Sequence, residues 1–193
     1  MERTLVIIKP DAIQRGIIGD IITRFERVGL KLIGCKLIQA DSKIANKHYP
    51  KERTEFIDGM GQKTLDNYKA LEMDAKAELG TDDAHKIGLM VQEWLVEFLT
   101  SGPALAMVLE GPHAIELVRK ISGHTLPTMA NPGTIRGDYS FDSSSLANAS
   151  HRPIRNLIHA SGNKEEADFE VALWFNSSEL MSYDTIHQQH MTA

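Results

Sequence analysis

The sequence predicts an α+β fold in which helices pack on one face of an antiparallel sheet. Two observations lead to this prediction: short β-branched runs alternate with segments of helical periodicity, and the order strand, helix, strand occurs twice. That order, βαββαβ, is typical of a ferredoxin-like sandwich. A length of 193 residues, of which 42% are hydrophobic and 24% charged, suits a single globular domain over 1–193.

The N-terminal residues predict a strand, a loop and a helix. Residues 4–9 form an apolar, β-branched run that Pro10 closes, as expected of a buried strand. A loop over 10–16 follows. Apolar residues then recur at helical spacing until Gly29, which suits a helix C-terminus; they are Ile18, Ile22, Phe25 and Val28.

The next segment predicts a second strand and a short helix. Residues 31–39 alternate in polarity, which places Ile33, Cys35 and Leu37 on one face of the strand. Cys35 is the single cysteine, so an internal disulfide is excluded, and its apolar surroundings predict an inert core thiol. A short helix follows, with Ser42 near its N-cap.

Residues 50–93 are more polar, and we interpret them as a helical insertion. Residues 64–79 show one helical pattern, which the sequence Gly-Thr-Asp-Asp interrupts. A second pattern continues beyond the insertion, with the apolar residues Ile87, Met90, Trp94 and Phe98.

The C-terminal half predicts a third strand over 104–109, a helix with three inward apolar residues, and long loops. The inward residues are Ile115, Val118 and Ile121. Residues 124–138 are expected to be a loop, and such a long loop in a compact domain suggests binding. Residues 140–153 are rich in Ser and Asn and predict a loop insertion.

The last predicted elements are a short apolar piece over 156–161 and a helix. Asn163 is followed three residues later by Glu166, which is the pattern of a capping box. The helix is expected to run to about Phe175.

Charge and targeting signals narrow the class of partner. The net charge of −5 disfavours a general nucleic-acid binder, although a basic pocket within an acidic surface remains open. Apolar runs are too short to cross a bilayer, and the N-terminus lacks the pattern of a signal peptide. We expect a cytoplasmic protein without membrane or nucleic-acid partners.

Several polar side chains are candidates for chemistry, each with a structural alternative. Lys9 is either a lysine extending from a sheet end or a cation fixed toward an anion. Arg119 and Arg136 could be solvated surface charges, but small residues surround Arg136 in a way that suits phosphate binding. His159 is either a core histidine or a nucleophilic imidazole that Glu170 on the next helix could orient.

Two further patterns are weaker. Residues 59–64 resemble a phosphate-binding P-loop, but Gln62 separates the glycine from Lys63, and no clear strand precedes them. His187 and His190 have a spacing that could hold a metal, but they lie in a polar tail without supporting ligands.

Five segments, in order, resemble the signature segments of nucleoside diphosphate kinases. They are RTLVIIKPDA at 3–12, SGP at 101–103, PGTIRGD at 132–138, RNLIHAS at 155–161 and ALWF at 172–175. The resemblance implies the ferredoxin-like fold and a ping-pong reaction that maintains nucleotide pools. In that reaction the γ-phosphate of a nucleoside triphosphate, typically ATP, moves to a histidine and then to a nucleoside diphosphate.

The resemblance also assigns roles to residues. His159 would be the phosphorylated nucleophile, with Tyr49 close to it and Glu170 supporting it. The residues around the phosphates and ribose would be Lys9, Arg119, Thr125, Arg136 and Asn156. Mg²⁺ would bridge the nucleotide phosphates without a protein ligand. Pro127 lies in a loop that the family uses in subunit contacts, which implies a homo-oligomer, a hexamer or a tetramer.

The sequence departs from the family pattern at three places. Gly162 stands where the family usually carries Asp. Residues 50–93 are longer than the usual connection, and the position of the aromatic residue that stacks on the base falls near Val91, with Trp94 one turn away. Residues 140–153 are extra, either a lid or an inert loop. A non-catalytic nucleotide-binding relative is the alternative function, which the retention of His159 disfavours.

Overall fold

A computed structural model of the chain, which describes residues 1–191, contains a four-stranded antiparallel sheet in the order β2-β3-β1-β4. The strands are β1 (Glu2–Ile8), β2 (Lys31–Gln39), β3 (Pro103–Gly111) and β4 (Ile158–Ala160). Strand β1 lies in the middle and pairs with β3 on one side and β4 on the other. The sheet confirms the predicted α+β class and ferredoxin-like architecture.

Eleven helices surround the sheet within the described residues. They are α1 (Pro10–Gln14), α2 (Ile18–Glu26), α3 (Ser42–His48), α4 (Thr54–Ala70), α5 (Ala75–Leu79), α6 (Ala84–Thr100), α7 (Ala114–Ser122), α8 (Ile135–Tyr139), α9 (Ser144–Ala149), α10 (Lys164–Trp174) and α11 (Ile186–Met191). In this part of the chain, none is both long and apolar enough to cross a membrane.

Helices cover both faces of the sheet, because alternate residues of β1 point to opposite sides. Val6 and Ile8 pack with α2 and α7, the crossover helices of the two predicted strand-helix-strand units. Leu5 and Ile7 pack on the other side against a second apolar cluster that includes Trp174 of α10. The crossover helices α2 and α7 pack on one face of the sheet, as predicted. Helices α3, α6 and α10 cover the opposite face as well.

Three short helices lie where the sequence predicts loops. Helix α1 begins directly after Lys9 with Pro10 at its first position, where proline is favoured. Thr134 caps α8 by accepting from the N–H of Gly137, and Ser143 caps α9. These helices have five or six residues each, so they are too short to show an apolar period.

A β-bulge changes which residues of β2 face the core. The register with β3 shifts between Leu32 and Gly34, so that Ile33 is the extra residue. One extra residue reverses the alternation beyond it, which turns Cys35 and Leu37 outward on the edge strand. Both are exposed, and the prediction of a core thiol is wrong.

Two helix caps differ in detail from the prediction. Asp41, rather than Ser42, caps α3 by accepting from the N–H of Ile44 at 2.8 Å. Asn163 caps α10 as predicted, and its Oδ1 accepts from the N–H of Glu166 at 2.8 Å. Glu166 does not complete the box, because its carboxylate accepts from the N–H of Gly162 instead, at 2.9 Å.

The 50–93 segment forms a helical hairpin in which glycines allow close contact. Its first pattern begins earlier than predicted and divides into α4 and α5. A Cβ on Gly61 of α4 would lie 1.7 Å from the carbonyl oxygen of Ala84, and a Cβ on Gly88 of α6 would lie 2.0 Å from that of Ile57. The glycine pattern that resembles a P-loop therefore serves helix packing within α4.

We expect Gly88→Ala to destabilise the protein by about 1–3 kcal/mol, because the added methyl group forces α4 and α6 apart. Gly59→Ala is the matched control, since a Cβ at Gly59 meets nothing within 4 Å and Ala favours a helix by about 1 kcal/mol. Chemical denaturation of both variants measures the difference. Equal free energies of unfolding in the two variants would contradict the close packing.

Candidate active site

His159 lies on the short strand β4 beside the central strand. Its backbone pairs with Ile7 in antiparallel register, so the sheet fixes its position. The side chain is 19% exposed. The imidazole is thus anchored in a rigid element and still accessible to a substrate.

A buried carboxylate from α10 holds the imidazole of His159. Oε2 of Glu170 lies 2.9 Å from Nε2 of His159 and accepts from the hydroxyl of Ser161 at 2.6 Å. A carboxylate can only accept, so Nε2 carries the proton and Nδ1 keeps its lone pair. The sequence predicts Glu170 as the group that orients this ring, but it does not reveal Ser161 as a second partner of the carboxylate.

His48 is a buried neighbour that the sequence analysis missed. Its ring centroid lies 4.3 Å from that of His159, and its Nδ1 accepts from Nε1–H of Trp174 at 3.4 Å. Burial lowers the pKa of His48 well below its usual value, with smaller contributions from His159 and Lys9. A neutral ring therefore packs against the candidate nucleophile, which only the tertiary fold reveals.

Lys9 is a buried cation at the end of β1. Its N–H donates to the carbonyl of Leu157 at 2.8 Å, and its Nζ donates to Oδ1 of Asn156 at 2.7 Å. Burial lowers the pKa of Lys9 to about 8, which nearby Asp11 opposes and Arg136 reinforces. Within residues 1–191, the ammonium group makes no ion pair, so its positive charge is available to an anion.

Arg136 is a second buried cation, and three carbonyl groups orient its guanidinium. Nε donates to Asn156 at 3.1 Å, Nη1 to Gly123 at 2.8 Å and Nη2 to Ile158 at 2.8 Å. Burial lowers the pKa of Arg136 to about 10, and the nearby charge of Arg119 adds to the effect. The group remains cationic at neutral pH and is presented from a fixed position beside His159.

Asn156 connects these groups. Its Oδ1 accepts from Lys9, its carbonyl accepts from Arg136, and its Nδ2 donates to the carbonyl of Thr125 at 2.9 Å. The side chain and the backbone carbonyl of one residue therefore set the spacing of two cations and a loop, as expected of a preorganised anion site.

The chain is strained immediately before the candidate nucleophile. Leu157 has a φ of 71°, a conformation that costs a branched side chain free energy on the order of 1–3 kcal/mol. Its N–H donates to Oδ2 of Asp11 at 3.0 Å, and its carbonyl accepts from Lys9. These two bonds hold the turn that places Asn156 and His159 on the same side.

Tyr49 belongs to the same cluster because its ring packs against that of His48. Its ring centroid is 4.6 Å from that of His48, and the side chain is buried. Burial raises the pKa of Tyr49, Glu170 raises it further, and Arg136 opposes them. The phenol therefore stays protonated, and its contact with His48 places it near His159, although its role stays a prediction.

Arg119 and Thr125 complete the predicted set. Arg119 is exposed in the last turn of α7 and lies close enough to Arg136 to lower its pKa. Thr125 is exposed beside Asn156. The fold thus brings all eight predicted residues to one edge of the sheet, whereas His187 and His190 lie on α11, apart from them.

The glycine that departs from the family pattern is covered by a carboxylate from the next turn. A Cβ on Gly162 would lie 2.5 Å from Oε2 of Glu166 and 3.7 Å from Nη1 of Arg119. Glu166 also pairs with Arg53 at 3.1 Å. Glu166 therefore supplies a negative charge at the place where the family usually has Asp.

An accessible imidazole beside two buried, preorganised cations on a ferredoxin-like sheet fits an enzyme of the phosphotransferase class. The nucleoside diphosphate kinase family model matches residues 2–63 and 83–180. The chain therefore belongs to the nucleoside diphosphate kinase family. This confirms the predicted family, function and enzyme class, whereas the roles of individual residues stay predictions.

Relatives and solved structures agree with that assignment. The nucleoside diphosphate kinase of Pyrobaculum aerophilum is 45% identical over 181 residues, which cover 94% of this chain and 98% of that protein. A crystal structure of an NDP kinase from the same organism has a TM-score of 0.91 and 44% identity, covering 94% of this chain and 99% of the other. A Borrelia burgdorferi nucleoside-diphosphate kinase, described as a transition state mimic with vanadate and ADP, has a TM-score of 0.77 and 34% identity, covering 98% and 95%.

Gly162→Asp and Glu166→Ala should compensate for each other in stability. Gly162→Asp alone places a side chain against the carboxylate of Glu166, and Glu166→Ala alone leaves the N–H of Gly162 without its acceptor, which costs about 1 kcal/mol. Together the new Asp takes over the position, so unfolding free energies should be non-additive by at least about 0.5 kcal/mol. Glu165→Ala, on the same helical turn, is the control. Strict additivity would show that Glu166 does not occupy the site of the missing Asp.

Proposed function

We propose that the phosphotransfer of this chain runs through Nδ1 of His159. The hydrogen bond from Nε2 to Glu170 carries the proposal, because it leaves Nδ1 as the nitrogen with a free lone pair. In the first half-reaction, Nδ1 attacks the γ-phosphorus of a nucleoside triphosphate. The bond from phosphorus to the bridging oxygen breaks, and its electron pair leaves with the nucleoside diphosphate.

The second half-reaction reverses these steps with a different acceptor. A terminal phosphate oxygen of another nucleoside diphosphate attacks the phosphorus, and the electron pair of the N–P bond returns to Nδ1. Glu170 keeps its hydrogen bond to Nε2–H throughout and stabilises the positive charge that develops on the ring. Because both half-reactions use one site, the kinetics are ping-pong.

We propose that Lys9 and Arg136 bind the phosphates, with Arg119, Thr125 and Asn156 around them. Phosphoryl transfer requires positioning and neutralisation of charge on the phosphoryl oxygens more than covalent assistance. The two buried cations are preorganised for this task by Asn156 and by three carbonyls, so binding an anion requires no rearrangement. The Borrelia burgdorferi relative, whose structure holds bound vanadate and ADP, supports the proposal that this chain binds nucleotide phosphates.

Magnesium enters this proposal as part of the nucleotide substrate. Within the described chain, the cluster that could ligate a metal ion consists of His48, His159 and Glu170. Two imidazoles are a poor match for Mg²⁺, which prefers oxygen ligands and retains water. We therefore assign Mg²⁺ to the nucleotide phosphates, whose charge it neutralises in part.

We also propose a cytoplasmic homo-oligomer, a hexamer or a tetramer. Leu37 is 63% exposed on the edge strand β2, and Met129 is 64% exposed beside the turn that begins at Pro127. Exposed apolar residues on an edge strand and a loop are typical of surfaces that subunits cover.

His159→Ala should abolish both the covalent intermediate and turnover. Incubation of the wild-type chain with γ-labelled ATP should leave an acid-labile, base-stable label, which is the behaviour of phosphohistidine. His187→Ala, which removes a histidine on α11, is the matched control and should retain the label. Wild-type turnover of GDP by His159→Ala would show that another residue is the nucleophile.

The affinity for ADP should fall as the pH rises through about 8. Burial lowers the pKa of Lys9 to that value, and the protonated amine is the form that attracts phosphate. Calorimetric Kd values should rise by up to about tenfold per pH unit above the pKa. Lys9→Gln should bind weakly with little pH dependence in this range, whereas Lys120→Gln, an exposed residue of α7, should follow the wild type. A pH profile of Lys9→Gln that declines as steeply as that of the wild type would exclude Lys9 as the source.

A further inference from the structure

Asp11 is an acidic side chain beside the site to which neither the sequence patterns nor the proposed reaction assigns a role. It is the second residue of α1, which begins directly after Lys9. The N–H groups of Ala12 and Ile13 donate to the carbonyl of Lys9 at 3.1 Å each. The first turn of α1 therefore fixes the backbone of Asp11 relative to that of Lys9.

Hydrogen bonds in both directions join this turn to the segment before the candidate nucleophile. The N–H of Lys9 donates to the carbonyl of Leu157 at 2.8 Å, and its Nζ donates to Oδ1 of Asn156 at 2.7 Å. In the other direction, the N–H of Leu157 donates to Oδ2 of Asp11 at 3.0 Å. Leu157 lies directly before β4, so the place of His159 depends on how this segment is held.

The hydrogen bond to Asp11 stabilises a strained turn over residues 156–157. Leu157 is buried and has a φ of 71°, and such a conformation persists only where surrounding contacts determine it. Without Oδ2 of Asp11, the buried N–H of Leu157 would lose its acceptor. The 156–157 turn would then lose one of the contacts that offset its strain.

Within residues 1–191, the other oxygen of this carboxylate receives no hydrogen bond. Oδ1 of Asp11 is enclosed by protein atoms. An ionised oxygen that is buried without a donor is costly, because the hydration it loses is not replaced. Positive charge nearby is the remaining way to offset that cost.

Buried cations supply this positive charge. Burial lowers the pKa of Lys9 and of Arg136, and the negative charge of Asp11 opposes the lowering in both. Arg136 acts on Lys9 in the opposite sense to Asp11. The other groups beside Lys9 carry no charge, because the imidazole of His48 is neutral and the ring of Phe98, 6.0 Å from Nζ, is apolar.

We propose that Asp11 is a positioning residue for phosphoryl transfer: one carboxylate oxygen holds the 156–157 turn, and the negative charge offsets the burial of Lys9 and Arg136. The proposal rests on the proposed function, because it concerns how the nucleophile and the cations are presented to nucleotide phosphates. A carboxylate repels phosphate, so Asp11 acts through these groups and not on the substrate.

Asp11→Asn tests the charge, because the amide oxygen still accepts from the N–H of Leu157. Without the negative charge, the pKa of Lys9 should fall further below its usual value. The midpoint of the decline in ADP affinity with rising pH should therefore move to lower pH. Below the midpoint, Asp11→Asn should bind ADP at least as tightly as the wild type, because a repulsive charge is gone. Calorimetric Kd values between pH 6.5 and 9.5, a range of about three pH units around the pKa of Lys9, measure both effects.

Asp11→Ala tests the hydrogen bond, because it removes the acceptor together with the charge. At a pH below the midpoint, where Lys9 is protonated in every variant, phosphorylation of His159 by ATP should slow by about tenfold or more, because a loosened turn misplaces the nucleophile. Asp11→Asn should slow this step by less than Asp11→Ala does. Rapid quenching with γ-labelled ATP measures the rates.

Controls separate these effects from damage to the fold. Asp20→Asn removes an exposed carboxylate from α2 and should follow the wild type in both assays. Lys9→Gln combined with Asp11→Asn removes the titrating amine, so the shifted midpoint should disappear. Chemical denaturation shows whether each variant folds, and if Asp11→Ala does not, the pH profile of Asp11→Asn still decides.

A midpoint in Asp11→Asn equal to that of the wild type would overturn the proposal. A folded Asp11→Ala that is phosphorylated at the wild-type rate would overturn it as well. Both results compare variants of a chain that forms the label on His159. Absence of the label in the wild type would contradict the proposed function instead, and a wild type whose ADP affinity does not change with pH would contradict the role of Lys9.

Discussion

The hydrogen bond between the Glu170 carboxylate and the His159 imidazole is the interaction on which the site depends. The carboxylate is buried on α10 and receives a second hydrogen bond from Ser161, so it cannot turn away from the ring. Its acceptor-only chemistry fixes the tautomer of the imidazole. Strand β4 fixes the backbone of His159. The neutral ring of His48 packs against the His159 imidazole without adding charge.

The second constraint is that two cations are buried without an ion-pair partner among the described residues. Lys9 and Arg136 donate to amide and carbonyl oxygens, which orient them without a direct ion pair, although the carboxylate of Asp11 lies near both charges. Burial of a cation is costly, and the lowered pKa values of both groups reflect that cost. An anion at this place offsets it, so the stability of the empty site and its affinity for phosphate are linked.

Much of the fold and the site follows from local patterns in the sequence. Strands and long helices show their hydrophobic periodicity directly in the sequence. The family motifs, which occur in the expected order, predict His159, Arg136 and Lys9 as site residues. Short helices such as α8 depend on a single capping hydrogen bond, which cannot be recognised from the composition of the segment. Cys35 was misplaced because a single bulge reverses the alternation of β2. The role of His48 is not readable locally, since its partners lie on α10 and β4.

Charged residues anchor the 140–153 segment at its C-terminal end. Asp142 accepts from Arg152 within the segment and from the N–H of Arg155, three residues before β4 begins. The segment ends three residues before Asn156, so only a short stretch of backbone separates it from the residue that binds Lys9.

The nitrogen of His159 that carries the phosphoryl group can be identified directly. Phosphoenzyme prepared with ¹⁵N-labelled histidine and ATP can be observed by NMR, where coupling between phosphorus and nitrogen reports the N–P bond. We expect coupling to Nδ1 of His159, with a proton retained on Nε2. Coupling to Nε2 would contradict it, because that nitrogen would then have to leave Glu170 for the reaction to occur.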